Sequence, residues 1–158
     1  TSSLLNSGLC NELKEQNYSF FERLVDCYIK YGFYKEKLVS MTERGEKGFK
    51  KISEKINSLR KNPPDKLAND DLIKIYDYKE SLLTDKLNNV SSILNFPKSN
   101  LLIFESSNGT KVAVRPSGTE PKIKYYFSVN TNLDKKNDFK IKDELLNKKI
   151  NLLIEQFI

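Results

Sequence analysis

The chain contains no histidine. That absence removes imidazole general acid and base chemistry, the Ser-His-Asp arrangement and the usual zinc sites together. Only two cysteines occur, Cys10 and Cys27, both in helix-like segments and without CxxC spacing, so buried reduced thiols are expected rather than a disulfide. No apolar run approaches the roughly 20 residues of a transmembrane helix. The opening Thr1-Ser2-Ser3-Leu4-Leu5 also lacks the basic start and long apolar core of a secretory signal. These absences lead to the expectation of a soluble, cytoplasmic protein with no membrane partner. No internal repeat, GxGxxG or Walker A pattern is present. Three sequons, at Asn17, Asn89 and Asn108, are discounted, because an asparagine-rich chain without a secretory signal produces such matches by chance.

What is abundant is positive charge. The 27 Lys and Arg against 21 Asp and Glu leave a net +6, which favours an anionic partner: a phosphorylated metabolite, nucleic acid or a membrane surface. At 158 residues the chain has room for one domain with a core, or one domain plus an attached fragment.

The apolar periodicity predicts helices over residues 2 to 16 and from Ser19 to Gly32. The second opens on the capping-box pattern Ser19-Phe20-Phe21-Glu22 and carries Phe21, Leu24, Val25, Tyr28 and Tyr31 on one packing face. Leu38 to Thr42 reads as a strand. Gly45 to Asn62 reads as an amphipathic helix with Phe49, Ile52, Ile56 and Leu59 inward, stopped by Pro63-Pro64. Leu72 to Tyr78 is a second strand, and Lys79 to Asn100 is expected to be mostly loop. Leu101 to Glu105 and Thr110 to Arg115 flank Asn108-Gly109, a hairpin signal, and Lys122 to Val129 alternates as a further strand. A last helix from about Asp138 carries Ile141, Leu145, Leu146, Ile150, Leu153, Ile154 and Phe157 on its apolar side. This order predicts an α+β layer fold, an antiparallel sheet of about four to five strands with two helices on one face, preceded by helices.

Between the last two strands lies Arg115-Pro116-Ser117-Gly118-Thr119-Glu120-Pro121-Lys122-Ile123-Lys124. If Val112 and Val114 face the core, Arg115 points to the opposite side. Pro116 and Pro121 stiffen both ends. Ser117 and Thr119 each offer a hydroxyl and an amide, and Gly118 can take positive φ, so consecutive N–H groups can converge on an anion beside a guanidinium suited to phosphate. An ordinary surface turn uses the same residue types.

This ten-residue stretch resembles the phosphate-binding loop in the C-terminal domain of the α-D-phosphohexomutases, the phosphoglucomutase and phosphomannomutase superfamily. Tyr31 to Lys37, the Gly45 to Pro64 helix with its double proline, and Phe96-Pro97-Lys98-Ser99-Asn100 resemble the subgroup related to eukaryotic phosphopentomutase and glucose-1,6-bisphosphate synthase. The resemblance implies the last quarter of a four-domain enzyme. Residues 1–32 would be closing helices of the third domain and a linker, and residues 33–158 a C-terminal phosphate-binding domain with a TATA-box-binding-protein-like layout.

By the same resemblance Arg115, Ser117, Gly118 and Thr119 hold the non-transferred phosphate of a phosphosugar, with Lys122 or Lys124 adding positive field. Pro116, Glu120 and Pro121 shape the loop; a carboxylate facing a dianion is unfavourable, so Glu120 is assigned to bracing loop amides or pairing with a cation. The parent enzyme would interconvert sugar 1-phosphate and 6-phosphate, or pentose 1- and 5-phosphate, through a phosphoserine and a sugar bisphosphate, using Mg2+ and glucose 1,6-bisphosphate. The phosphoserine loop, the metal site and the sugar loop of that family do not occur in this sequence. No catalytic or metal-ligating residue is therefore expected here, and the chain alone is expected to be inactive, with the remaining domains of the parent as its partners. A rival reading takes Gly45-Glu46-Lys47-Gly48 as the GxxG loop of an RNA-binding KH module, with tyrosines and lysines at Lys122 to Tyr126 as a stacking surface; Glu46 opposes it, and no nucleic-acid partner is expected.

Overall fold

Residues 18–158 are described by a computed structural model. The helix expected over residues 2 to 16, and Cys10 with it, lie outside them. In chain order the elements are α1 (Phe20–Tyr31), β1 (Phe33–Thr42), α2 (Gly45–Lys61), β2 (Lys66–Leu67), β3 (Asp70–Asp77), β4 (Leu82–Asp85), β5 (Val90–Ile93), β6 (Leu102–Ser106), β7 (Lys111–Pro116), β8 (Lys122–Thr131), a 3-10 turn at Lys136–Asp138, and α3 (Phe139–Phe157). They divide into two compact units. One holds the described residues up to Tyr34 together with 131–145; the other holds 35–130 together with 146–158.

In the first unit the capping box forms as the sequence predicts. The Ser19 hydroxyl accepts the Glu22 N–H at 3.1 Å, and the Glu22 carboxylate accepts the Ser19 N–H at 2.8 Å. Gly32 ends α1 at φ 97°, its N–H donating to the Tyr28 carbonyl at 2.9 Å. The rings of Tyr28 and Phe139 stack on Phe33, and Phe21 meets Phe139 edge-on at 5.1 Å. Val25 is the buried member of the expected α1 stripe, whereas Phe21, Leu24 and Tyr31 are exposed. Lys136 pairs with Asp26 at 3.0 Å, and the Tyr18 hydroxyl bonds both. The Tyr18 hydrogen bond, then Lys136, hold the Asp26 carboxyl below its ordinary range. Cys27 is a free, half-buried thiol.

The second unit is built on a sheet of strand order β1-β8-β7-β6-β3-β4-β5, with β2 on a side branch of β3. The ladders running β8-β7-β6-β3-β4-β5 are all antiparallel. Period-two alternation decides the two faces. Leu102, Phe104, Val112, Val114, Ile123, Tyr125, Phe127 and Val129 are buried on the side that receives the helices. Ile52 and Ile56 of α2, and Leu146, Ile150, Leu153 and Phe157 of α3, close that core; Phe157 meets the rings of Phe104 and Phe127. Each large side chain buried here contributes roughly 1.5–3 kcal/mol. The α+β layer with two helices on one sheet face is thus the architecture observed.

Three details differ from the sequence expectation. The sheet has eight strands rather than four or five, because Lys79 to Asn100, although mostly turn and loop, contains the β4–β5 hairpin, and the two-residue β2 pairs with β3. A turn holds that hairpin, with the Asp85 carboxylate accepting the Asn88 N–H at 3.0 Å and Asn89 at φ 51°. Phe49 is 41% exposed rather than inward, because Gly48 is the residue of that turn of α2 packed against its neighbours. A Cβ at Gly48 would lie 2.7 Å from the Glu43 Cβ and 3.2 Å from the Pro121 Cβ. Ile141 and Leu145 of α3 are exposed, and the helical burial stripe begins at Leu146.

Arg60, near the end of α2, fixes the helix to the sheet. Its Nε lies 3.0 Å from Asp77 at the end of β3, and a terminal nitrogen donates to the Asn100 side chain at 2.6 Å. Both side chains of the ion pair are nearly buried, at 11% and 13% exposure. On the opposite sheet face Tyr76 donates to Glu105 at 2.8 Å, and Lys111 stands 3.6 Å from the same carboxylate.

Candidate functional site

The β7–β8 connection is rigid for local reasons. The Ser117 N–H donates to the Lys122 carbonyl at 2.7 Å, closing a five-residue loop, and the Lys122 N–H donates to the Glu120 carbonyl at 2.7 Å. Inside it the Ser117 hydroxyl accepts the N–H groups of Thr119 and Glu120 at 3.4 and 3.3 Å, a Ser-turn. A further bond anchors the loop to the sheet edge: the Glu43 N–H donates to the Pro121 carbonyl at 2.8 Å. Gly48, directly beneath, allows α2 to approach Pro121 that closely.

Strand alternation then sorts the side chains. Val112 and Val114 point into the core and are fully buried, so Arg115 projects from the opposite face and is exposed. Lys122, Lys124 and Tyr126 share that outer face of β8 by the same rule, and Arg115 lies in register with Lys124. The result is a groove of about 360 Å3 lined by Arg115, Ser117, Gly118, Thr119, Lys122 and Lys124, together with Pro116, Glu120 and Tyr126. All six residues expected to meet a phosphate therefore surround one concavity. Pro121 is set apart from it, against Gly48.

The electrostatics are lopsided. Among the described residues no carboxylate is ion-paired with Arg115, Lys122 or Lys124. The three cations against the single carboxylate of Glu120 leave a surplus of two positive charges around the groove. Some lysines elsewhere have found a carboxylate, as Lys86 has Asp65 at 3.0 Å. Concentrating unpaired cations in a concavity favours an anion.

Two expectations about the loop change. Gly118 does not take positive φ, and the Ser117 N–H is consumed in closing the loop, so consecutive amides do not all converge as a nest. A Cβ at Gly118 would meet nothing within 4 Å, so neither backbone conformation nor protein packing accounts for glycine there. Glycine at the rim of a groove leaves its backbone open to close approach by a ligand. Glu120 contributes its backbone N–H and carbonyl to the loop bonds, while its side chain is exposed. Tyr126 is the lining residue that the phosphate reading did not include, although the rival reading named it; its place two residues beyond Lys124 on an alternating strand was the available signal.

The glycines of the GxxG motif also acquire local explanations: Gly45 opens α2 at φ 66°, and Gly48 permits the approach to Glu43 and Pro121. Among the described residues no group of three or more His, Cys, Asp and Glu side chains is arranged to hold a metal ion. No described helix is long and apolar enough to cross a membrane.

No protein-family model matches the chain. A phosphoglucomutase from Staphylococcus saprophyticus is 36% identical over 125 residues, which is 78% of this chain and 22% of that protein. A phosphoglucomutase from Staphylococcus haemolyticus is 31% identical over 120 residues, 76% of this chain and 22% of that protein. The chain spans about a fifth of the length of the curated relatives it matches. A crystal structure of pp63/parafusin from Paramecium, a phosphoglucomutase in an open form, aligns with a TM-score of 0.44 and 16% identity, covering 91% of this chain and 25% of that one, too loose a match to bear on the fold.

Proposed function

We propose that this chain is the C-terminal part of a phosphohexomutase of the phosphoglucomutase type, and that its β7–β8 groove grips the phosphate of the sugar that is not being transferred. The observation that carries the reading is the convergence of Arg115, Ser117, Gly118, Thr119, Lys122 and Lys124 on one groove whose cations lack carboxylate partners. The similarity to two phosphoglucomutases over three quarters of the chain supports it.

In this reading Arg115 supplies a planar fork to the phosphate oxygens, Lys124 and Lys122 supply field, and the Gly118 backbone allows close approach. A phosphate dianion would neutralise the surplus of two charges. The grip orients the sugar so that its other end meets a phosphoserine elsewhere in the parent enzyme, which is a positioning contribution. The parent would interconvert sugar 1-phosphate and 6-phosphate, or pentose 1- and 5-phosphate, through a sugar bisphosphate. The nucleophile, the Mg2+ site and the sugar-recognition loop would come from segments outside this sequence. Residues 1–32 would close the third domain, and 33–158 would form the fourth. The exposed apolar side chains of α1, Phe20, Phe21, Leu24, Ile29 and Tyr31, support a helix that packs against such a neighbour. The subgroup related to phosphopentomutase and glucose-1,6-bisphosphate synthase is the one its sequence resembles.

The test is a titration of the 15N-labelled chain with glucose 1-phosphate. The amide signals of Gly118, Thr119 and Lys124 are expected to move and saturate at about millimolar concentration, the affinity that a handful of phosphate contacts supports. Arg115→Ala should abolish the response. The purified chain should not isomerise glucose 1-phosphate. Signals that stay fixed at these three residues, or turnover by the chain alone, refute the proposal.

A further inference from the structure

A phosphate ion is too small to fill the β7–β8 groove, whose volume of about 360 Å3 lies within the usual range of small-molecule sites. The cations and hydroxyls line it at the loop end. Tyr126, the next outward side chain of β8 after Lys124, lines it about 7 Å further along the strand. Its neighbour Tyr125 points the other way, is 1% exposed and stacks on Phe127, whereas Tyr126 is 40% exposed. Across the β7–β8 ladder Tyr126 is paired with Ala113, the smallest outward side chain of β7, so the neighbour on that side is a methyl group and the ring stays accessible. Among the described residues the Tyr126 ring meets no other aromatic side chain and no cation. The groove thus has a charged, hydroxyl-lined end and an aromatic end with a free face.

We propose that Tyr126 makes this groove selective for phosphosugars over other phosphate esters, its ring serving as the platform on which the pyranose lies while the loop holds the phosphate. This rests on the phosphate-grip reading and adds to it that the chain itself recognises the sugar. The chemistry of the two rings matches. The C–H groups on one face of a pyranose carry partial positive charge and meet the negative face of an aromatic ring, while the hydroxyls at its rim stay in water. The offset of two strand residues between Lys124 and Tyr126 suits a ring joined to its phosphate through an ester oxygen, with or without one methylene. Stacking fixes the plane of the sugar rather than the place of any one hydroxyl. One platform therefore accepts both orientations that a 1-phosphate and a 6-phosphate impose on the same grip, whereas side chains hydrogen-bonded to particular hydroxyls would favour one.

The 15N-labelled chain carries the test, with the Gly118 and Thr119 amides reporting occupancy of the loop. Glucose 1-phosphate is expected to half-saturate them at a concentration about fivefold below that of methyl phosphate, which has the same charged group and no ring. Tyr126→Ala should erase this preference by weakening glucose 1-phosphate alone, and Tyr126→Phe, which keeps the aromatic face, should preserve it. In the unsubstituted chain, nuclear Overhauser contacts should join the Tyr126 ring to the ring protons of the sugar. Equal affinity for the two esters in the unsubstituted chain overturns the proposal, as does the absence of those contacts at saturation. So does an alanine variant that retains the preference or loses affinity for both esters alike, or a phenylalanine variant that loses the preference. Failure of the phosphate grip looks different: neither ester then moves the Gly118 and Thr119 amides, and the platform falls with it.

Discussion

Arg115 and Lys124 face each other directly across the β7–β8 ladder, two cations in register on the outer face of the sheet. Like charges in that position destabilise a hairpin by roughly 0.2–1 kcal/mol. Replacing one of them should therefore stabilise the empty protein and weaken its hold on phosphate. Lys124→Gln is expected to raise the urea midpoint by the equivalent of about 0.5 kcal/mol while loosening glucose 1-phosphate severalfold in the amide titration. A variant that loses stability, or keeps full phosphate affinity, contradicts this pairing of effects.

In an intact parent enzyme Arg115→Ala should lower kcat/KM by the worth of one charge-assisted contact, about 1.5–3 kcal/mol in transition-state terms. Steady-state kinetics with sugar 1-phosphate measure it. Arg115 is exposed and its removal relieves the like-charge pairing with Lys124, so folding stability should not fall.

Two glycines separate packing from binding. Gly48→Ala forces a methyl to 2.7 Å from the Glu43 Cβ and 3.1 Å from its backbone carbon. Overpacking of this kind costs about 1–3 kcal/mol, more than alanine's helix propensity returns. Gly118→Ala meets open space, so stability should change by less than about 0.5 kcal/mol while phosphate affinity falls. Thermal denaturation of both variants, with a phosphate titration of the second, distinguishes the two roles.

Arg60→Ala leaves Asp77 nearly buried without its cation and Asn100 without its donor. Removing one partner of a buried ion pair costs about 3–5 kcal/mol, and the slight exposure of this pair places the expectation at about 3. Urea denaturation provides the value, and a loss below about 1 kcal/mol would mean that the pair is solvated in solution.

Burial, and then the hydrogen bond to Glu105, push the Tyr76 phenol from an ordinary 10.0 to about 12. A phenol harder to ionise in the folded than in the unfolded chain adds stability that is complete below pH 10. That stability drains away as pH rises from about 10 to 12, because the unfolded chain ionises first. Tyr76 keeps partial solvent contact, so screening reduces the contribution to about 1 kcal/mol. Followed by 13C-tyrosine NMR, Glu105→Gln should lower the Tyr76 midpoint; an unchanged midpoint would leave burial as the whole cause.

The strands that carry the groove were readable because alternation is strict there. Val112, Val114, Ile123, Tyr125, Phe127 and Val129 repeat every second residue, and Asn108-Gly109 marks the turn before them, with Gly109 at φ 81°. Arg115 followed by subtraction, as what the other face must hold, whereas Lys122 and Lys124 were assigned through the resemblance of the loop. The β4–β5 hairpin escaped because its strands are four residues long and do not alternate apolar with polar residues, and its turn depends on Asp85 reaching Asn88. The role of Gly48 escaped for another reason: a close approach between residues 43, 48 and 121 is a tertiary fact with no local period. The same holds for Arg60, whose partner Asp77 lies 17 positions away.

The two-sidedness of β8 limits how its loop can change length. Because the strand sends odd-numbered side chains into the core and even-numbered ones into the groove, one residue added between Ser117 and Lys122 would turn lysines inward and aromatics outward unless a bulge absorbed it. Length changes here are therefore governed by parity: two added residues preserve what one would invert.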